Sequence, residues 1–259
     1  MHSFRITYLL VVCASIFFSL HVHAMNVQPM NFELESAGSA TSSTISVTND
    51  AENQLPVELV VERLHLDVNG LPTNVEAGED WLVFPPQSVI APGKRQNFRI
   101  QWLGDPDLEE SQSYQLVVKQ VPVNLPDNES GIQIVYNIRV LINVAPPGLS
   151  SHLEVQSAKV TPSSSNSSNA NLSLQVRNPT KKHALLSDYS LFVSNLDENV
   201  QTEPQGLTIT SGELFQLVGM GLVQPGKTRK FEIPLRETSG INESHEKITV
   251  ELNKSRLIR

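Results

Sequence analysis

The side chains best suited to metal binding or proton transfer are poorly spaced for either task in this 259-residue chain. Three of its seven histidines fall within the first 24 residues, and the others are His65, His152, His183 and His245. None of these four stands at the short separation of a metal-ligand motif, so each reads as a structural or surface residue. Adjacent carboxylates occur at Glu109-Glu110 and Asp197-Glu198. Both pairs sit in polar, turn-like runs, where a solvated loop is the ordinary reading and an acid–base pair the exceptional one. There is no Gly-x-Ser-x-Gly elbow, no phosphate-binding glycine loop and no His-Glu-x-x-His. A serine, a histidine and an acid assembled from distant positions stays open as a hydrolase reading, because such triads are made by folding and not by spacing. No catalytic residue, metal or cofactor is assigned.

What the chain offers instead is a capacity for backbone pairing. From Gly131 to Val144 the even positions are Ile132, Ile134, Tyr136, Ile138, Val140, Ile142 and Val144, all apolar or aromatic. The odd positions are mixed. Side chains alternate faces along a strand, so the stretch predicts one long strand with one wholly apolar face. It is about twice the ordinary strand length of roughly 5–6 residues. Such a strand is a hazard at a sheet edge, where it invites pairing with another chain. Either it lies in the middle of a sheet, or the protein exists to offer that edge to a partner.

Composition bounds the partners. Arg5, the apolar run from Tyr8 to Leu20, and Val22-His23-Ala24 make residues 1–24 an expected secretory signal, cleaved after Ala24. Its apolar run is too short for a comfortable membrane span, and membrane insertion is not expected. The one cysteine, Cys13, lies inside this segment. An exported chain without cysteine elsewhere leans towards the bacterial periplasm, since small extracellular domains elsewhere are usually disulfide-stapled. The formal charge is −8, and −9 once Arg5 is set aside. That balance argues against nucleic acid or an anionic membrane as partner.

Two similar β domains are expected, 25–146 and 153–259, separated by Ala145-Pro-Pro-Gly148. The halves echo each other. Ile45-Ser-Val-Thr-Asn49 corresponds to Leu174-Gln-Val-Arg-Asn178, and Pro92-Gly-Lys94 leading to Phe98-Arg-Ile100 corresponds to Pro225-Gly-Lys227 leading to Phe231-Glu-Ile233. Pro-Gly supplies the turn in each. Strands are expected at 29–34, 43–49, 56–62, 81–90, 97–102, 113–121 and 131–144, then at 153–160, 171–177, 187–194, 207–218, 229–235 and 247–252. No amphipathic helix stands out. The fold class is therefore all-β, two immunoglobulin-like sandwiches joined by a short linker.

Ser46-Val-Thr-Asn49, Phe84-Pro-Pro86, Ala91-Pro-Gly-Lys94, Tyr114-Gln-Leu-Val-Val-Lys-Gln-Val-Pro122 and the 131–144 strand, in this order, resemble the periplasmic pilus-assembly chaperones of the chaperone–usher pathway. The Val-Lys-Gln-Val-Pro ending resembles the archaic or alternative branch. The resemblance implies a non-enzymatic protein that completes an unfinished pilus or fimbrial subunit with its own strand and delivers it to an outer-membrane usher. It implies Ile132, Ile134, Tyr136 and Ile138 as the residues inserted into the subunit, with 140–144 packing at home. It implies Arg139 as an anchor for the subunit's C-terminal carboxylate, against an intradomain salt bridge as the plain alternative. Val27–Leu34 lacks the second basic residue that another branch places on the first strand, so Lys119 is taken as the candidate replacement. Arg99 stands where the family has a structural interdomain ion pair. Self-association of the free form is a further way to cover the edge. The competing reading is a secreted or surface two-domain adhesin or binding module, with 131–144 buried centrally.

Overall fold

The computed structural model describes residues 25–122, 134–162, 170–195, 206–235 and 248–255. The expected signal at 1–24 and the expected insertion residue Ile132 lie outside the described residues.

Ten strands build the first sandwich: β1 (Met25–Gln28), β2 (Asn31–Glu35), β3 (Ser42–Asn49), β4 (Leu55–Leu66), β5 (Pro72–Glu76), β6 (Trp81–Phe84), β7 (Gln87–Ile90), β8 (Arg95–Trp102), β9 (Gln112–Gln120) and β10 (Asn137–Ala145). One sheet runs β1-β3-β8-β6, the other β2-β10-β9-β4-β5 with β7 beside β4. Alternation makes these strands amphipathic. Ile45 and Val47 on β3, and Phe98, Ile100 and Trp102 on β8, are buried between outward Ser, Thr, Asn and Arg. They meet Val57, Leu59 and Val61 of β4, Leu116 and Val118 of β9 and Val140, Ile142 and Val144 of β10. Trp81, Trp102 and Tyr114 close one end of this core, their ring centroids 5.1–5.6 Å apart. Burial pushes the Tyr114 hydroxyl up to about 12.

The second sandwich holds β11 (Glu154–Pro162), β12 (Ala170–Arg177), β13 (Ala184–Leu185), β14 (Tyr189–Asn195), β15 (Gly206–Ile209), helix α1 (Ser211–Val218), β16 (Leu222–Val223), β17 (Thr228–Pro234) and β18 (Ile248–Lys254). Its sheets are β11-β12-β17, β15-β14-β18 and the short pair β13-β16. The two immunoglobulin-like sandwiches are joined through the residues after β10, as the alternation and turns led us to expect.

The strands β1, β5, β13 and β16 were not expected, and three expected runs differ from what the sequence suggested. The run 81–90 splits at Pro85-Pro86 into β6 and β7, which belong to different sheets, because proline lacks the N–H a continuing ladder needs. The run 207–218 becomes β15 and then α1. Thr210 and Glu213 form a reciprocal cap, each side chain meeting the other's backbone N–H, and the helix packs Leu214 into the core. The Thr-x-x-Glu spacing was present in the sequence but fell inside an apolar run read as a strand. The long strand 131–144 is described as a ladder only from Asn137, in β10.

The repeat seen in the sequence has one physical cause. Asn49 and Asn178 are both fully buried at the end of their strands. Asn49 Nδ2 donates to Asn53 O at 2.8 Å and Ile90 O at 2.9 Å, and its Oδ1 accepts from Ala51 N at 3.0 Å. Asn178 Nδ2 donates to Lys182 O at 2.7 Å and Val223 O at 3.0 Å, and its Oδ1 accepts from Thr180 N at 3.0 Å. In both halves the asparagine closes its own turn and clamps the residue two before the Pro-Gly turn. Alanine at Asn178 would remove the side-chain donor to the buried Val223 carbonyl and the acceptor of the Thr180 N–H, while Lys182 O keeps the Thr180 hydroxyl at 2.9 Å; each group left unsatisfied costs about 1–3 kcal/mol. Asn178→Ala is expected to destabilise the second sandwich by about 2–4 kcal/mol, read as a lower urea midpoint with near-UV dichroism as probe; an unchanged midpoint would remove the clamp from this account.

Candidate functional site

The candidate site is the free end of β10. Two hydrogen bonds show which way its backbone groups point. Gln120 N–H donates to Tyr136 O at 2.9 Å, and Leu141 N–H donates to Met30 O at 3.1 Å. Backbone groups alternate sides along an antiparallel ladder, so even residues turn theirs to β9 and odd residues to the opposite edge. On that opposite edge β2 pairs in parallel, but only from Leu141 to Ala145. The N–H and C=O of Asn137 and Arg139 therefore face an edge that no strand among the described residues covers.

The side chains follow the same gradient. Val140, Ile142 and Val144 are fully buried in the first core. Ile138 is partly buried against it. Tyr136 is 42% and Ile134 64% exposed. All six are the alternate, core-side positions of this stretch, so the apolar stripe continues past the point where this domain has a core to receive it. Residues 134–136 carry no regular ladder apart from the Gln120–Tyr136 bonds.

The other face of this sheet is polar near Arg139. Arg139 Nη1 donates to Glu62 Oε2 at 2.7 Å and to Gln115 Oε1 at 3.1 Å. Asn74 Nδ2, from β5, donates to the same two acceptors at 3.0 and 3.1 Å. Burial by itself raises the Glu62 carboxyl, but the bond from Arg139 and its charge, with Asn74 and Lys119, hold it below the usual carboxylate range. Lys119 stands across the ladder from Asn137 and Glu58 and adds its charge to this face. The structure thus brings Arg139 and Lys119 onto one face, with a resident carboxylate beside Arg139 that nothing in the linear spacing indicated. Glu62, Gln115 and Asn74 lie on three different strands, and only the sheet order makes them neighbours.

Arg99 is placed elsewhere. It is exposed on β8, across from Thr44 and Phe84, and forms no ion pair among the described residues. The interdomain ion pairs are made by other groups. Glu33 on β2 accepts from Lys182 Nζ at 2.8 Å and lies 3.2 Å from His183 Nε2. Ser111 Oγ accepts the His183 N–H at 2.6 Å and lies 3.2 Å from His183 Nδ1. Ser111 N–H donates in turn to Lys181 O at 2.8 Å. This serine, histidine and glutamate have the connectivity of an acyl-transfer triad, which is the hydrolase reading left open above. Its setting argues for a structural joint. Ser111 and His183 are 4% and 6% exposed, and the serine oxygen is already engaged by a backbone N–H. A nucleophile needs space in front of it for a reacting atom.

Further contacts fasten the two sandwiches. Leu64 and Leu141 pack on Leu222. Gln224 donates to Leu64 O at 2.7 Å and accepts from Leu66 N at 3.0 Å, satisfying β4 beyond the last residue that β9 pairs. Gly70, at φ +80°, turns the β4–β5 hairpin against the Arg229 guanidinium, where a Cβ would collide with Nη2. Among the described residues no group of three or more His, Cys, Asp or Glu is placed to hold a metal ion. No helix among them is long and apolar enough to cross a membrane.

Residues 26–150 match the family model of the PapD N-terminal domain, described as a pili and flagellar-assembly chaperone. No curated protein matches the chain significantly. Among solved structures, the class 5 fimbriae chaperone CfaA aligns at 11% identity and a TM-score of 0.50, over 89% of this chain and 99% of that one. The CupB2 chaperone of Pseudomonas aeruginosa aligns at 15% identity and 0.48, over 88% and 100%. The CsuC–CsuE complex, chaperone and tip adhesion subunit of archaic Csu pili from Acinetobacter baumannii, aligns at 15% and 0.48, over 80% and 89%. At such identities structural likeness bears on the fold alone. The family match makes 26–150 a pilus-chaperone N-terminal domain, and the resemblance read from the sequence holds.

The interdomain joint should respond to acid. Burial alone raises the Glu33 carboxyl, yet the His183 and Lys182 hydrogen bonds and charges outweigh it and bring the group from its ordinary 4.5 to about 2. A carboxyl depressed in the folded state stabilises above its unfolded pKa and loses that contribution as pH falls through the folded one. Between about pH 4.5 and pH 2 the urea midpoint should therefore fall more steeply in the wild type than in Glu33→Gln. Equal slopes would mean that Glu33 does not carry the acid sensitivity.

Proposed function

We propose that this protein is a non-enzymatic chaperone of pilus or fimbrial subunits, exported to the periplasm, which completes an unfinished subunit with the free end of β10 and delivers it to an outer-membrane usher. The observation that carries this reading is the half-covered edge. From Leu141 onward β10 is an interior strand with β2 and β9 on its two sides. Before Leu141 the same strand has one unpaired edge and an apolar stripe running out into solvent.

Donor-strand complementation follows from those two properties. Backbone groups of Asn137 and Arg139 supply a ladder, while Ile138, Tyr136, Ile134 and, by continuation of the alternation, Ile132 fill pockets in a groove that lacks its own strand. Each large apolar side chain moved fully out of water contributes roughly 1.5–3 kcal/mol. Two or three such groups can offset the cost of association when the groove is preformed. The start of β2 bounds the partner strand, because Leu141 N–H is already given to Met30 O. A partner strand running parallel to β10, as β2 does, would end at the level of Arg139. Its C-terminal carboxylate would then meet a guanidinium suited to grip both oxygens. Lys119 supports the same charge from the neighbouring strand, and the interdomain role expected of Arg99 passes to Glu33, Lys182 and His183. No nucleotide is required, since a subunit can be displaced by the better fit of the next subunit's strand.

The adhesin alternative needs 131–144 buried along its length, whereas burial among the described residues is complete only from Val140. Ile134→Asp and Tyr136→Asp change exposed residues and should leave the melting temperature within about 1 °C, as surface substitutions do. With a fimbrial subunit co-expressed in the periplasm, the double variant is expected to recover less than about a tenth of the subunit that the wild type recovers, a loss of about 1.4 kcal/mol or more. Undiminished recovery by a folded variant would rule out the donor role.

A further inference from the structure

Arg139 is held more firmly than an exposed arginine at a sheet edge needs to be. Its Nη1 alone serves two acceptors, Glu62 Oε2 at 2.7 Å and Gln115 Oε1 at 3.1 Å. Among the described residues neither Nε nor Nη2 makes a hydrogen bond, so the side edge of the guanidinium, the one that grips a carboxylate with two parallel N–H bonds, is left open. The two acceptors are themselves tied by Asn74 Nδ2, at 3.0 and 3.1 Å. Asn74 does this at a cost, because its Oδ1 is buried without a partner. A buried unsatisfied oxygen calls for a reason, and the orientation of the amide supplies one: turned the other way, Oδ1 would oppose two oxygens. The arrangement crosses β5, β4, β9 and β10 and ends on the one arginine beside the open edge.

We infer that Asn74, Glu62 and Gln115 form a positioning relay, which fixes Arg139 through Nη1 and presents its Nε and Nη2 edge to the C-terminal carboxylate of a partner strand. This rests on the reading of β10 given above. The relay removes rotamer freedom from a long side chain before binding, so that less is lost when the carboxylate arrives. It also assigns a function to Glu62, which would otherwise be only a competitor for the same cation.

The test uses the full chain and an acetylated peptide of alternating threonine and valine, made once with a free C-terminal carboxylate and once with an amide. Calorimetric titration gives the ratio of the two affinities. The free acid is expected to bind about tenfold more tightly, the size of one charge-assisted hydrogen bond. Arg139→Ala should bring the ratio to about one. Asn74→Ala and Glu62→Ala should lower it to about threefold while leaving the affinity for the amide unchanged, which a general loss of stability would not do. Glu62→Gln keeps an oxygen acceptor for Nη1 and should restore the wild-type ratio. Failure to bind either peptide, or a ratio untouched by Arg139→Ala, would overturn the reading of the edge itself. A ratio that collapses in Arg139→Ala but stands in Asn74→Ala and Glu62→Ala would overturn the relay and leave the anchor intact. A ratio above wild type in Glu62→Gln would make Glu62 a competitor and would equally overturn the relay.

Discussion

One strand is interior over one half and an edge over the other among the described residues, and the parallel strand β2 decides where one stops and the other begins. From Leu141 to Ala145 β10 has neighbours on both edges and its alternate side chains lie in the core of its own sandwich. Three residues earlier the same strand has one neighbour, and five residues earlier its side chains are in water. An apolar edge of this kind is ordinarily avoided by charge, proline or a covering loop. Among the described residues no strand covers it, and the donor role proposed for β10 would put that edge to use. The buried half is what makes the exposed half usable, because Val140, Ile142 and Val144 hold the strand in register and at a set height in the sheet.

Rigidity matters equally at the boundary between the sandwiches. The outer face of the same sheet, on which Arg139 stands, continues through Leu64 and Leu141 to Leu222 of the second sandwich. Around this small apolar contact, polar groups are satisfied across the junction: Glu33 by Lys182 and His183, the end of β4 by Gln224, the His183 N–H by Ser111. Each such group would be costly if left unpaired in a partly buried place. On opening, these groups would be hydrated, so each hydrogen bond holds the joint by its net worth of about 0.5–1.5 kcal/mol, beside the apolar contact. A joint of this kind keeps the second sandwich at a set position relative to β10 and its arginine.

Much of this was legible in the chain. Period-two alternation marks β3, β8, β12 and β17 because a sandwich strand has one wet face and one dry face, and that difference is written residue by residue. The repeated asparagine and Pro-Gly signals predicted two halves of one design, and Asn49 and Asn178 turn out to make the same bonds. The helix α1 was missed because Leu207, Ile209, Leu214, Phe215, Leu217 and Val218 were read together as one strand-like apolar run, in which the capping pair Thr210 and Glu213 is a weak local signal. The strand at 81–90 was joined across Pro85-Pro86 for the same reason, hydrophobic continuity outweighing the missing N–H.

By itself the sequence determined which residues face inward, where turns fall, that the fold is all-β in two halves, and that one stretch is more apolar than a single domain should need. It could not determine which strands become neighbours. Partners across a sheet come from distant parts of the chain, as Arg139, Glu62, Gln115 and Asn74 do, and pairing depends on packing summed over the whole sandwich. Only the tertiary structure therefore decided that β2 stops short of Arg139, that the interdomain charge pair is Glu33 with Lys182 and His183 while Arg99 stays in solvent, and that the arginine beside the open edge is held in place from three other strands.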